Sequence, residues 1–322
     1  MPLGAFTGPP QRLLVVTGKG GVGKSTVAAA VAVAATRRGL RTIVAEVSGR
    51  ADVARLLGGR GAAPLRESEP CPGLHHVTID RRSALEQYLR DEVPGPLPAG
   101  LLARSRAFEL FVAAAPGMSD LLTVGKVWEL AQRPRHQRGA RPYDLVVLDA
   151  PASGNLVGLL GAARTFTAVA RVGPVARQGA AIDRALTDPA FTGVIAVATP
   201  EQMPVTETLT LRRALVEQLG IGLRAVVVNR LVRSPFTDGQ LVAMHAVDDD
   251  PAVRSARWLH GRAREHRTQL GRLRRGLQAR AVAELAVIAT PPSTATLPFV
   301  FAREIGRREV EQLADRLDRL LT

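Results

Sequence analysis

The 322 residues are 46% hydrophobic and 22% charged, which excludes a disordered chain and allows one large α/β domain. Cys71 is the only cysteine, so an intrachain disulfide or a cysteine-pair zinc site is excluded, and the longest apolar run, Val27 to Ala35, falls well short of the roughly 20 residues of a membrane span. The net charge of +14 is almost all arginine, the only lysines being Lys19, Lys24 and Lys126, and an anionic partner or an arginine-rich coding bias would each account for it.

Met1 to Arg12 lacks a charged start followed by an apolar core, and with the single cysteine this leads us to expect a cytoplasmic protein. Leu13 to Val16 is a short apolar run that ends in a glycine loop, and Ser25 to Arg38 then reads as an Ala-rich helix stopped by Gly39. Further strands are expected at Thr42 to Val47, Leu74 to Ile79, Leu145 to Leu148, Gly193 to Ala198, Ala225 to Val228 and Ala286 to Ala289. Helical patterns separate most of them. This alternation, with aromatics at only 4% and a core of Val, Leu, Ile and Ala, predicts a doubly wound, mostly parallel α/β sheet. Two stretches break the rhythm within the single domain expected over 1–322. Residues 81–138 read as a helical insertion punctuated by proline and glycine, and 247–280 as a second, arginine-rich helical insertion whose Asp250-Pro251 resembles a helix start.

The loop Gly18-Lys19-Gly20-Gly21-Val22-Gly23-Lys24-Ser25-Thr26 fits the G-x-x-x-x-G-K-[ST] pattern, and it follows a strand and opens a helix as the motif requires. Its glycines allow backbone N–H groups to close around phosphate, Lys24 reaches the outer phosphates, and Ser25 is placed to bind Mg²⁺, so ATP and Mg²⁺ are the expected cofactors. Asp149 closes the run Tyr143 to Leu148, at the carboxyl end of a buried strand, where it could hold Mg²⁺ as the second acidic group of such sites. Asp144 competes for that role but starts the same strand, at the opposite edge of the sheet. His75 and His76, adjacent on a strand, face opposite sides and make no shared metal site, and His260 and His266 are off one helical face. The arginines between Arg254 and Arg280 could hold phosphates or form a solvated face, with Trp258 the only aromatic among them.

Lys19, directly after Gly18, gives K-G-G-V-G-K-S-T, which resembles the deviant loop of partitioning, septum-positioning and arsenite-pump ATPases. The resemblance implies that Lys19 crosses a dimer interface to the partner's nucleotide. Within that class the chain is most similar to the arsenite-pump and tail-anchored-protein-targeting family, over nearly its full length. Asp149-Ala150-Pro151-Ala152-Ser153-Gly154-Asn155 resembles its second switch. Val226 to Asn229 resembles the strand whose asparagine reads adenine, and Leu297-Pro298-Phe299 the segment on the other side of the base. Leu121 to Trp128 is similar to the paired actinobacterial branch.

Departures from the family pattern narrow what it implies. The arsenite-binding cysteine cluster is absent, which speaks against an arsenite pump, and Met118 is the only methionine in the first insertion, which speaks against a Met-rich client groove. Where the family has a first-switch aspartate this chain has Ser48, with Glu46 and Asp52 nearby as other carboxylates. The expectation is an ATPase that acts as a nucleotide-gated switch, slow on its own, as a homodimer or as a heterodimer with a paralogous ATPase. Its client would be a membrane protein or another protein, with nucleic acid disfavoured. The alternatives are a positioning ATPase that binds DNA or membrane, and a low-turnover regulatory subunit.

Overall fold

Along the strand Leu13–Gly18 (β1) successive side chains enter opposite faces of one sheet: Leu13 and Val15 join one buried cluster, Leu14 and Val16 another. The same alternation holds in the neighbouring strands, so both faces must be covered, and the sheet is parallel as such burial favours. The computed structural model describes residues 11–47, 49–80, 83–84, 86, 117–133, 135, 139–169, 174–245, 250–279 and 291–321. The expected strand at Ala286 to Ala289 and the first-switch Ser48 lie outside the described residues.

Strands β2 (Thr42–Glu46), β3 (Ser68–Cys71), β4 (Leu74–Thr78), β5 (Leu145–Ala152), β6 (Thr192–Ala198), β7 (Leu223–Leu231) and β8 (Ser293–Pro298) complete an eight-stranded sheet in the order β3-β4-β2-β5-β1-β6-β7-β8. Only β3 runs antiparallel to its neighbour. The chain builds outward from β1 in both directions, which makes the carboxyl end of β1 the switch point where ligands of open sheets bind. Register brings the ends of the central strands level there: Val16 lies beside Asp149, Glu46 on the far side of Asp149, and Gly18 beside Val197.

One face is covered by α1 (Lys24–Arg37) and the closing helix α9 (Arg307–Leu321). Alanines 28, 29, 30, 32, 34 and 35 of α1 are buried, and their small side chains let the helix lie close to the sheet and to α9. Val310, Leu313, Ala314 and Leu317 of α9 are buried in return, and Arg37–Asp315 and Arg38–Asp318 pair across the helices at 2.5 and 2.6 Å. The other face carries α3 (Met118–Leu130), α4 (Ser153–Val169), α5 (Pro174–Thr187), α6 (Gln202–Ala214, continued by the π-turn Leu215–Leu219) and α8 (Pro251–Gln278). Two shorter helices, α2 (Asp52–Leu56) and α7 (Asp238–His245), follow β2 and β7.

The Asp250 side chain caps α8 by accepting from Ala252 N at 2.7 Å, with Pro251 in the first turn, and the helix runs unbroken through Gly261, Gly271 and Gly276. Gly276 is packed against Leu209, and buried Arg212 donates to the carbonyls of Gly276 (2.8 Å) and Ala279 (3.3 Å), which satisfies the end of the helix. No helix among the described residues is long and apolar enough to cross a membrane.

At the amino end of the sheet a polar network fixes β5. Tyr143 Oη donates to Glu67 at 2.6 Å, Arg135 donates to the same carboxylate at 2.7 Å, and Arg41 and Arg135 lie over the Tyr143 ring. Asp144 belongs to this end: it accepts from Arg41 N and pairs with Arg133 at 2.5 Å.

Candidate functional site

Between β1 and α1 the loop turns where only glycine fits. A Cβ on Gly18 would stand 2.0 Å from Val197 O, and one on Gly23, at φ +91°, would meet Asn229 Nδ2 at 2.5 Å. Gly20 and Gly21 form the exposed rim of the loop, Val22 is buried beneath it, and Lys24, Ser25 and Thr26 open α1. Asn229, at the carboxyl end of β7, donates to Val22 O at 2.9 Å, and its own Oδ1 accepts from Arg230 N at 2.9 Å. It therefore braces the loop from below. Pro298 ends β8 opposite Leu231, and Phe299 and Phe301 follow as an exposed edge-to-face pair with centroids 4.9 Å apart.

The reactive groups sit above this frame. Lys24 Nζ donates to Lys19 O at 3.2 Å, and burial pushes the ammonium below its ordinary value, the Asp149 charge opposing. Ser25 Oγ donates to Asp149 Oδ2 at 2.6 Å. Asp149 is 4% exposed, and burial drives its carboxyl up to about 6, against the Ser25 hydrogen bond and with the Glu46 charge adding to the rise. Its other oxygen, Oδ1, is buried with no partner. A buried carboxylate oxygen with an open lone pair, next to a hydroxyl at a helix start, is the hard oxygen set that Mg²⁺ accepts. The residues present fit the cation.

Lys19 turns back within its own chain: Nζ lies 2.6 Å from Glu207 Oε1, and Glu207 Oε2 accepts from Ser153 Oγ at 3.2 Å. Sequence reasoning missed Glu207, which looks like any acid on the polar side of an amphipathic helix. Glu46 resolves differently from its expectation as a spare carboxylate. It is fully buried and accepts from Asp52 N (2.8 Å) and Val53 N (3.1 Å), and His76 Nε2 lies 3.1 Å from its Oε2. It caps α2 and holds the chain where it enters that helix. His76, for which the sequence suggested no role beyond its place on a strand, is thus a buried partner of Glu46. Asp52 pairs with Arg55 and stands 3.8 Å from Arg50. His266 accepts from Val232 N at 3.1 Å, and His260 Nδ1 lies 3.0 Å from Ser234 Oγ. Arg267, Leu270 and Arg274 of the arginine-rich helix line, together with Leu231, Arg233 and Thr296, a cavity of about 390 Å³ on the side of the sheet away from α1.

A profile of the anion-transporting ATPase family matches residues 11–172 and 167–249. The chain belongs to this family. The match takes in the glycine loop, Asp149, Glu207 and Asn229, while Pro298 lies beyond it. The ATPase BagA of Mycobacterium tuberculosis is 32% identical over 224 residues, 68% of this chain and 65% of that protein. An uncharacterized Streptomyces coelicolor protein, SCO2128, is 31% identical over 298 residues, covering 85% and 72%. The arsenical pump-driving ATPase of Escherichia coli is 26% identical over 238 residues, 67% of this chain but only 38% of the pump protein. The chain thus spans just under two thirds of the mycobacterial family member and well under half of the pump-driving one.

Proposed function

We propose that this chain binds Mg-ATP at Gly18 to Thr26, hydrolyses it, and works as a nucleotide-gated switch in a dimer, with a second copy or a paralogous ATPase. The observation that carries the reading is the Ser25–Asp149 pair at 2.6 Å beside Lys24, with Asp149 Oδ1 left open. Lys24 supplies the charge for the outer phosphates, and the loop N–H groups with the start of α1 supply the rest of the cradle. Ser25 and Asp149 would hold Mg²⁺, which supplies charge neutralisation for the phosphate oxygens when bound. Asn229 and Pro298 flank the place where the base would lie, and Lys19 acts on the partner's nucleotide.

Two features favour slow turnover in the isolated chain. Glu46 is committed to its cap and to His76, and serine is a poor general base at the first-switch position 48. An aspartate-bearing paralogue would supply the faster site, and the stretches 81–138 and 247–280 would carry contacts to a protein or membrane-protein client. Arsenite extrusion is not the reading we favour, since Cys71 alone cannot build a thiolate cluster. The buried apolar face of α9 argues against a free membrane-binding helix at that end.

Sedimentation velocity and phosphate release, with and without Mg-ATP, test this. The wild-type chain should gain mass as a dimer on Mg-ATP. Lys19→Ala should bind ATP as before but lose turnover on the order of 10²-fold. No nucleotide-dependent association with either itself or its paralogue, or unchanged turnover in Lys19→Ala, would overturn it.

A further inference from the structure

Lys19 and Ser153 belong to the two segments that would hold nucleotide and metal in the reading above, and Glu207 is the group that joins them. The Lys19 ammonium is 2.6 Å from one carboxylate oxygen of Glu207, while the other accepts from Ser153. Lys19 lies in the glycine loop. Ser153 begins α4 directly after β5, the strand that carries Asp149. Glu207 itself stands on α6, outside both segments, and α6 packs on β6 and β1. About a third of each charged side chain remains exposed, 32% for Lys19 and 35% for Glu207, so the pair is shielded enough to hold and open enough to exchange.

We infer that Glu207 is the positioning residue for Lys19: it holds the lysine within its own chain and gives it up when the Asp149–Ser153 segment moves. The inference rests on the dimer reading above, in which Lys19 serves the partner's nucleotide. A cation that acts across an interface must trade the Glu207 carboxylate for a phosphate oxygen, and the strength of the Glu207 contact sets the cost of that trade. Ser153 gives the trade its trigger. A shift of the β5–α4 junction that accompanies metal and phosphate binding removes one of Glu207's two partners and turns its carboxylate. Release of Lys19 is then tied to an occupied site, and a chain without ATP does not present the lysine to a neighbour.

Glu207→Gln keeps the side-chain length and a hydrogen bond to Ser153 but removes the charge, so Lys19 is released more readily. Four full-length chains decide the matter: wild type, Glu207→Gln, Lys19→Ala and the double variant. Each is assayed for phosphate release over a range of ATP and protein concentrations. Glu207→Gln should raise kcat roughly three- to tenfold, with ATP affinity within about twofold of wild type, and should lower the protein concentration for half-maximal association by a similar factor. The double variant should behave as Lys19→Ala, because the effect runs through Lys19. An unchanged or reduced kcat in Glu207→Gln, or a rise that survives in the double variant, would overturn the inference.

A readout independent of turnover separates this from a failure of the dimer reading, in which Lys19→Ala alone would match wild type. Reductive methylation without nucleotide, followed by mass spectrometry, reports how firmly Lys19 is held, with Lys24 and Lys126 as the only other lysines to compare. Faster labelling of Lys19 in Glu207→Gln supports the hold. Equal labelling in the two chains contradicts it, whatever the ATPase result.

Discussion

Replacing Asp149 by asparagine should make the protein more stable and useless to Mg²⁺ at the same time. The folded chain pushes this carboxyl from an ordinary 3.8 up to about 6, chiefly by burial. Because the folded value lies above the unfolded one, the ionised carboxylate is what the fold resists. The protonated carboxyl's contribution to stability is fully present below about pH 4 and is lost as pH rises through about 6. A shift of about two units corresponds to about 3 kcal/mol at neutral pH, at 1.36 kcal/mol per unit. Asparagine keeps an acceptor for Ser25 Oγ and removes the charge, so Asp149→Asn should gain up to about that amount, or roughly 5 °C in Tm. The gap should close as pH falls from 6 toward 4, where the wild-type carboxyl is protonated. Mg-ADP should raise the Tm of wild type and leave the variant nearly unmoved. In wild type, proton competition should weaken Mg²⁺ binding by about tenfold per pH unit below 6. Differential scanning calorimetry at pH 7.5, 6 and 4.5, with and without Mg-ADP, measures all of this. A variant less stable than wild type at pH 7.5, or one that keeps the Mg²⁺-dependent rise, would refute the burial argument.

Asn229→Ala removes the amide that braces Val22 O and opens space beside Gly23, so ATP affinity should fall about tenfold with little change in global stability, as read by calorimetric titration. Arg135→Ala should destabilise the chain by about 2–4 kcal/mol in urea unfolding, because it strips Glu67 and the Tyr143 ring of a buried cationic partner, while ATP binding at the opposite, carboxyl end of the sheet stays within about twofold.

What was legible in the sequence was what local chemistry determines. The glycine loop could be read because strand, loop and helix follow one another without interruption. Asp149 could be read because an apolar run aims it at the carboxyl edge. The edge strands could not. Ser68–Cys71 is polar and contains Pro70, and Ser293–Pro298 buries little beyond Ala295 and Leu297, so neither leaves an apolar run to detect. The Glu46–His76 pair depends on β2 lying beside β4, with Val44 opposite His76, and that adjacency is a product of the crossovers and not of either strand alone. Glu207 meets Lys19 only because α6 returns over β1, so nothing near either residue in sequence announces the contact.

The most direct test of the account is a calorimetric titration of Mg-ATP into the wild-type chain and into Lys24→Ala. Lys24 is the loop's inward cation, and no other side chain there can replace its charge at the outer phosphates. The wild-type chain should release heat and saturate at one ATP per chain, and Lys24→Ala should show no heat under the same conditions. Wild-type-like affinity in Lys24→Ala, or no saturable binding by the wild-type chain, would contradict the assignment of Gly18 to Thr26 as the nucleotide site.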